Sequence, residues 1–276
     1  MTYSEICKRL EAAGIETAEW EASLLVEHFC GADAALVRME PEADYGSQAL
    51  AAAVDKRVGR YPLQYLIGEW SFYRQSFRVT PDCLIPRSDT EILVEEAIRL
   101  LPQGARFLDL CTGSGCIAIS VLAERPDTRA VAVEKFERTM ALATENAARN
   151  GVSDRFVPLV ADALEELVLS DDPQFDAILS NPPYIESRVL PSLSPEVQAE
   201  PQVALDGGED GLLFYRRILE LHAKHLAQDG VILFEIGFDQ AAAVLALGAE
   251  QGFLEGYVLR DLGGNNRVVV FKRTRS

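Results

Sequence analysis

The run Phe107-Leu-Asp-Leu-Cys111-Thr-Gly113-Ser-Gly115-Cys-Ile-Ala118 decides how the rest of the chain is read. Residues 106–110 form a short apolar run of strand type, and 117–124 carry the pattern of a helix, with two glycines between them. Gly113 and Gly115 let the backbone turn sharply and approach a ligand where a side chain would collide. The start of the following helix offers N–H groups that lack partners within the helix. A strand, a glycine-rich turn and a helix in this order open a nucleotide-binding α/β unit.

The pattern continues downstream. Apolar runs at 130–134, 156–160, 175–180 and 231–236 read as strands, and helical stretches at 137–150, 211–227 and 240–249 separate most of them. Continuous apolar strands alternating with helices argue a mostly parallel sheet covered on both faces. A last strand at 267–271 follows the Gly263-Gly264 turn and is expected to run antiparallel at or near the edge, with Asn265-Asn266-Arg267 in the turn.

Upstream the character differs. Ile6, Leu10, Leu24, Leu25, Val26 and Phe29 recur at helical spacing, and the helical bias continues through 33–37 and 49–54, with a loop around 41–46. Residues 1–68 therefore read as a small helical bundle. In 69–87, Trp70, Phe72, Phe77 and Val79 alternate with polar residues around Arg74-Gln75-Ser76, which reads as a hairpin linking the bundle to an α/β domain over 88–276.

Composition limits the function. With 48% hydrophobic and 25% charged residues, the chain is an ordinary globular protein. It has no apolar run long enough to span a membrane, and its first residues lack a secretory leader, so a cytoplasmic protein without membrane attachment is expected. Five cysteines without CxxC spacing suggest neither a disulfide framework nor a zinc site, and no metal is expected. There are 43 acidic against 26 basic residues, a net charge of −17, which argues against a nucleic-acid partner, whose phosphates call for a basic face.

The glycine loop alone fits two ligands. Glu134 lies 19 residues beyond Gly115, where a dinucleotide-binding fold places its ribose-binding acid. The same acid would serve the ribose of S-adenosylmethionine equally well. Asp162, after the third strand, could accept from an adenine amino group, or could cap a helix with Glu165 closing a capping box; the two roles can coexist.

The fourth strand ends in Ser180-Asn181-Pro182-Pro183-Tyr184, at the carboxyl edge where α/β sheets bind ligands. Methyl transfer from a sulfonium is an in-line displacement, and an amide nitrogen attacks poorly because its lone pair is delocalised into the carbonyl. Hydrogen bonds from its two N–H groups to fixed acceptors would aim it and favour the positive charge that develops on nitrogen. Asn181 offers a side-chain carbonyl and Pro182 a backbone carbonyl. Adjacent prolines at 182 and 183 stiffen the backbone, and Tyr184 offers an aromatic face to a planar group. Asn-Pro-Pro also occurs in ordinary turns, but a nicotinamide dehydrogenase has no use for it after this strand. A planar amide and the exocyclic amine of adenine both suit such a site.

Taken together, the motifs resemble those of the glutamine N5-methyltransferase family, the HemK-type enzymes that modify peptide chain release factors. The resemblance runs from about residue 17 to the end. It rests on Pro62-Leu-Gln-Tyr-Leu-Ile-Gly68, Phe72-Tyr73, Leu84-Ile-Pro-Arg87-x-x-Thr-Glu91 and Leu108-Asp-Leu-Cys-Thr-Gly-Ser-Gly115. Asn181-Pro-Pro-Tyr184, Glu200-Pro-x-x-Ala-Leu-Asp-Gly-Gly-x-Asp-Gly211 and Glu235-x-Gly237 complete it. The resemblance implies a seven-stranded, Rossmann-like class I methyltransferase domain preceded by a helical domain that helps recognise the release factor. It implies S-adenosylmethionine as cofactor, and as substrate the glutamine of a Gly-Gly-Gln loop. By the same resemblance Cys111, Thr112, Gly113, Ser114, Gly115 and Glu134 hold the cofactor, with Asp162 and Ala163 beside its adenine. Asn181, Pro182, Pro183 and Tyr184 then bind the glutamine side chain, with Asn181, Pro182 and Tyr184 catalytic and Asn181 also bordering the cofactor. The chain departs from the family at Cys111, commonly glycine; at Arg87-Ser88-Asp89, usually Arg-Pro-Glu; at Glu134, frequently Asp; and at Ala163, frequently aromatic, which thins the adenine sandwich.

Ribosomal-protein glutamine methylation and adenine N6-methylation of nucleic acid are the alternatives within enzymes, and a non-catalytic cofactor-binding scaffold is the alternative outside them. Arg87 has two open roles, substrate contact or domain contact. His222 and His225, three apart with no third ligand nearby in sequence, read as solvated or capping histidines.

Overall fold

A computed structural model of the chain describes residues 1–169 and 174–273. By contacts the chain falls into two units, Met1–Glu69 with Leu193–Ala199, and Trp70–Ser192 with Glu200–Ser276.

The first unit holds helices α1 (Tyr3–Ala12), α2 (Ala18–Cys30), α3 (Ala34–Met39), α4 (Gln48–Val58) and α5 (Leu63–Ile67). Thr2 opens α1 with a capping box, accepting from the Glu5 N–H while the Glu5 carboxylate accepts from its own. Ile6, Leu10, Leu25, Val26, Val37, Leu50 and Val54, none of them exposed, pack the bundle core. The guanidinium of Arg57 on α4 is almost fully buried. It pairs with Glu21 on α2 at 2.5 Å and with Glu196 at 3.0 Å. Glu196 also meets Arg60 at 2.6 Å, so ion pairs tie the segment Leu193–Ala199 to this unit.

A two-stranded hairpin follows, β1 (Glu69–Phe72) and β2 (Gln75–Arg78). Its turn is Tyr73-Arg74, with Tyr73 at φ 55, so Gln75 and Ser76, expected in the turn, belong to the second strand. The larger unit continues with α6 (Glu91–Leu100), β3 (Arg106–Leu110), α7 (Cys116–Glu124), β4 (Arg129–Glu134), α8 (Glu137–Arg149), β5 (Phe156–Val160) and β6 (Phe175–Ser180). After the short α9 (Pro195–Gln198), which belongs to the first unit, come α10 (Leu213–His222), β7 (Leu226–Glu235), α11 (Ala241–Glu250), β8 (Glu255–Arg260) and β9 (Asn266–Lys272).

The seven strands run in the order β5-β4-β3-β6-β7-β9-β8, the first five parallel and β9 antiparallel to both neighbours. Strand alternation divides the core between the two faces. Phe107, Ala177, Leu179, Val268 and Val270 pack on one side with α6, α7 and α8. Leu108, Leu110, Ile178, Val269 and Phe271 pack on the other with α10 and α11. This is the expected class I methyltransferase architecture. The order reverses between β3 and β6, and such a switch point opens a crevice at the carboxyl ends of the strands.

Three local expectations need correction, and one strand has no counterpart among the expected elements. The helix expected over 211–227 ends at His222, because β7 begins at Leu226, pairs early with Phe175, and then bulges through Asp229, at φ 65. Strand β8 lies at the edge, half-exposed and with Gly256 in it, so it lacks the apolar run that marks a central strand. Asn266 and Arg267 belong to β9, leaving Asp261 to Asn265 as the turn. Among the described residues no helix starts at Asp162, so the capping box there does not form. No described helix is long and apolar enough to cross a membrane.

Candidate active site

The turn after β3 is tighter than glycine content alone suggests. Cys111 stands at φ 60, Gly113 at φ 56 and Gly115 at φ 82. The left-handed backbone at Cys111 is where glycine would be free of strain, which gives a physical reason for the family's preference at that position. Gly115 caps α7, and a Cβ there would lie 2.7 Å from Ile119 Cδ1.

Buried polar groups hold the loop. The Glu134 carboxylate, at the end of β4, accepts from the N–H of Gly113 through Oε2 and from that of Phe136 through Oε1, both at 3.1 Å. Burial raises its pKa against the lowering effect of these N–H groups. Thr112 donates through its hydroxyl to Asp109 Oδ2 at 2.5 Å, and the Ala118 N–H also favours the ionised carboxylate. Complete burial pushes Asp109 up to about 7. On α8 the fully buried Asn146 donates to the Ser114 carbonyl at 3.0 Å and exchanges hydrogen bonds with the Arg78 backbone.

A cavity of about 430 Å³ opens over this loop. It brings together Cys111, Thr112, Gly113, Ser114, Glu134, Asp162, Ala163, Asn181 and Pro183 of the expected set. Gly115 and Pro182 are buried beside it, and Tyr184 is half-buried; none of these three lines it. Asp162 accepts from the Leu164 N–H at 2.9 Å and pairs with Lys135 at 2.8 Å, which holds its carboxyl below the usual range against the burial that would raise it. Ala163 is buried, and its carbonyl meets His222 Nε2 at 2.8 Å. His222 and His225 are thus not solvated: both are buried, with rings stacked at 6.4 Å, and burial lowers the pKa of His222. No group of three potential ligands is placed to hold a metal among the described residues.

Asn181 donates from Nδ2 to Thr90 Oγ1 at 3.2 Å, while among the described residues its Oδ1 accepts nothing. The stretch 205–211 clasps the end of the tetrapeptide: the Ile185 N–H donates to the Leu205 carbonyl and the Gly207 N–H to the Ile185 carbonyl, while Gln240 donates to the Tyr184 carbonyl at 2.9 Å. A Cβ on Gly207 would stand 2.7 Å from Tyr184 Cα and 2.9 Å from the Pro183 carbonyl oxygen. Arg87 pairs with Glu200, whose other oxygen accepts from the Ile85 N–H at 3.0 Å, so it pins the segment that leads into this clasp.

Sequence reasoning gave no role to Thr90, Asp109, Asn146, Glu200, Glu235 or Gln240. Thr90, Asp109, Glu200 and Glu235 sit inside motifs quoted above, and the last three are buried charges in otherwise apolar or Pro-rich contexts. That was the available signal. Asn146 carries no such signal within its helix.

Residues 88–209 match the family profile described as Methyltransferase small domain, and residues 2–68 that described as PrmC N-terminal domain. A release factor glutamine methyltransferase of Geobacter sulfurreducens is 40% identical over 264 residues, covering 94% of this chain and 91% of that protein. Another, from Thermodesulfovibrio yellowstonii, is 38% identical over 83% of each chain. The crystal structure of a methyltransferase from Pyrococcus furiosus, 18% identical, shares the fold at a TM-score of 0.53 over 72% of this chain and 89% of that one. With relatives this similar along nearly its whole length, the chain belongs to the release factor glutamine methyltransferase family.

Proposed function

We propose that the protein transfers a methyl group from S-adenosylmethionine, the donor used by its family, to the side-chain amide nitrogen of the glutamine in the Gly-Gly-Gln motif of a peptide chain release factor. The observation that carries this reading is one cavity bordered both by the Glu134-held glycine loop and by an anchored Asn181 whose carbonyl oxygen is free.

The residues present fit the donor. Glu134 is buried, borders the cavity and accepts from backbone N–H groups of the loop, and its carboxylate would also accept from the two ribose hydroxyls. Asp162 and the buried Ala163 border the same cavity, where an adenine amino group and ring would lie. When bound, S-adenosylmethionine supplies a methyl carbon made electrophilic by its sulfonium.

Asn181 Oδ1 and the Pro182 carbonyl accept the two N–H groups of the substrate amide, which turns the nitrogen toward the donor and favours charge building on it. The methylated nitrogen is acidic enough to lose its proton to water, so no strong base is required. Tyr184 backs the planar group with its ring. Burial and the neighbouring Glu235 carboxylate raise its pKa, which keeps the hydroxyl neutral. We place the protein in the cytoplasm with its substrate, without membrane or nucleic-acid partners.

The test is transfer of radiolabelled methyl from the donor to purified release factor, to the same protein with the target glutamine replaced, to ribosomal protein, and to DNA and RNA. Label on release factor that vanishes with the glutamine is expected. Label on adenine or on ribosomal protein instead would replace this reading by one of its alternatives.

The clasp predicts a further result. Gly207→Ala places a methyl against backbone atoms that cannot swing aside, so Pro183 and Tyr184 must move. Steady-state assays should show kcat/KM for release factor reduced about 10- to 100-fold, as misplacement by a fraction of an ångström does. Donor affinity should stay within about threefold. An unchanged kcat/KM would mean that the clasp does not position the tetrapeptide.

A further inference from the structure

The two ends of the tetrapeptide meet a single buried carboxylate. Glu235, the last residue of β7, is 1% exposed. Its Oε2 accepts from the Thr90 hydroxyl at 2.5 Å, and its Oε1 lies 3.5 Å from the Tyr184 hydroxyl. Thr90, also 1% exposed, accepts in turn from Asn181 Nδ2 at 3.2 Å.

We propose that Glu235, acting through the Thr90 hydroxyl, is a positioning residue that fixes which way round the Asn181 carboxamide stands and so keeps its carbonyl oxygen toward the substrate. This rests on the reading above, in which Asn181 accepts from a substrate amide.

The number of protons available fixes the direction of these bonds. A carboxylate can only accept, and a hydroxyl has one proton to give. With Glu235 ionised, that proton goes to Oε2, and Thr90 can then only accept from its other neighbour. Asn181 must therefore offer Nδ2 to Thr90. The inverted amide would set two acceptors against each other in a buried place, which is costly. A carboxamide alone has no intrinsic preference between its two faces, so a site built on one needs an outside reference. Here that reference is the charge on Glu235.

The relay also makes the site responsive to pH. Burial pushes Glu235 up to about 7. Arg267 on β9 opposes this and Asp89, beside Thr90, adds to it; Arg267 is itself shared between Asp89 at 3.1 Å and Asp261 at 3.0 Å. The other titratable groups facing Glu235 are the Tyr184 and Tyr215 hydroxyls, both pushed up by burial and neutral, and the Cys116 thiol at the start of α7, pushed up to about 12. Below about pH 7 the protonated Glu235 can donate to Thr90. The Thr90 proton is then free to turn to Asn181, and the amide loses its reference. Turnover therefore rises with pH through this range.

Thr90→Val keeps the shape and removes the hydroxyl, Thr90→Ser restores it, and Glu235→Gln abolishes the titration. For each, kcat and KM for release factor are measured at saturating donor between about pH 5.5 and 8.5, with donor affinity by calorimetry and the thermal midpoint alongside. Thr90→Val should lose about 10- to 100-fold in kcat. Its donor affinity should stay within about twofold, and Thr90→Ser should recover most of the rate. Glu235→Gln presents either a donor or an acceptor to Thr90, so its kcat should fall about tenfold and lose the acid limb of the wild-type profile.

The proposal is overturned if Thr90→Val turns over like wild type, if it loses donor affinity along with rate, or if the acid limb survives in Glu235→Gln. Asp109, also pushed up to about 7, would then be the group behind the limb. Failure of the wild-type protein to methylate any release factor would instead sink the functional reading on which this one rests.

Discussion

Asn181→Ala is expected to lower kcat for release factor methylation by about 10²- to 10³-fold, the usual cost of removing one fixed polar group that acts on charge developing in a transition state. The loss should appear in kcat and in kcat/KM alike, because the interaction matters most as the amide nitrogen acquires positive charge. Affinity for S-adenosylmethionine should stay within about threefold, since the donor's ribose and adenine have their own proposed partners in Glu134 and Asp162. Stability does not account for such a loss. Asn181 is only partly buried and makes one side-chain hydrogen bond, to Thr90, worth about 1 kcal/mol. The rate loss corresponds to about 2.7–4 kcal/mol. Single-turnover assays at saturating donor, with calorimetry for binding, separate the two. A mutant that turns over within about tenfold of wild type would remove Asn181 from the chemistry.

How much of this was legible in the sequence follows from what each residue answers to. The parallel strands β3, β4 and β6 were readable because most of their residues are buried on both faces and apolar, Asp109 and Asp176 aside; β5 was readable from its apolar residues alone, although Val157 and Val160 are exposed. Strand β8 was not, because an edge strand answers to one partner only and tolerates Glu255, Gly256 and Arg260. The ligand-facing half of the site was also readable. Gly113, Glu134 and Asn181 are constrained by what they would touch, and the constraint shows as residue type at a strand end. The supporting half was not readable. Thr90, Asn146 and Gln240 reach the loop and the tetrapeptide across 91, 32 and 56 residues of sequence. Thr90 lies in a quoted motif, but nothing local says which distant group a threonine or an amide supports. Cys111 lies between the two cases. Its difference from the family's glycine was visible, but its cost became clear only with the positive φ.

The second large effect is expected at Glu134. Glu134→Ala should weaken S-adenosylmethionine binding by about 100-fold, taking two charge-assisted hydrogen bonds to the ribose at about 1.5–3 kcal/mol each and allowing for incomplete additivity. Part of that loss comes from the loop itself, since the mutant leaves the N–H groups of Gly113 and Phe136 without their acceptor. A thermodynamic cycle separates the parts. Wild type should prefer adenosine to 2′,3′-dideoxyadenosine, and Glu134→Ala should bind the two alike, whereas a purely structural role would weaken both ligands equally. The pH dependence has a definite sign. Burial raises the pKa of Glu134 in the free protein, and hydroxyl donors from the ribose favour the ionised form. Ligand binding therefore lowers that pKa and releases protons, and affinity must rise with pH through the free-protein pKa and level off above it. Calorimetry in buffers of different ionisation enthalpy reads the released protons directly. Their persistence in Glu134→Ala would assign the titration to Asp109, the other buried carboxyl beneath the loop.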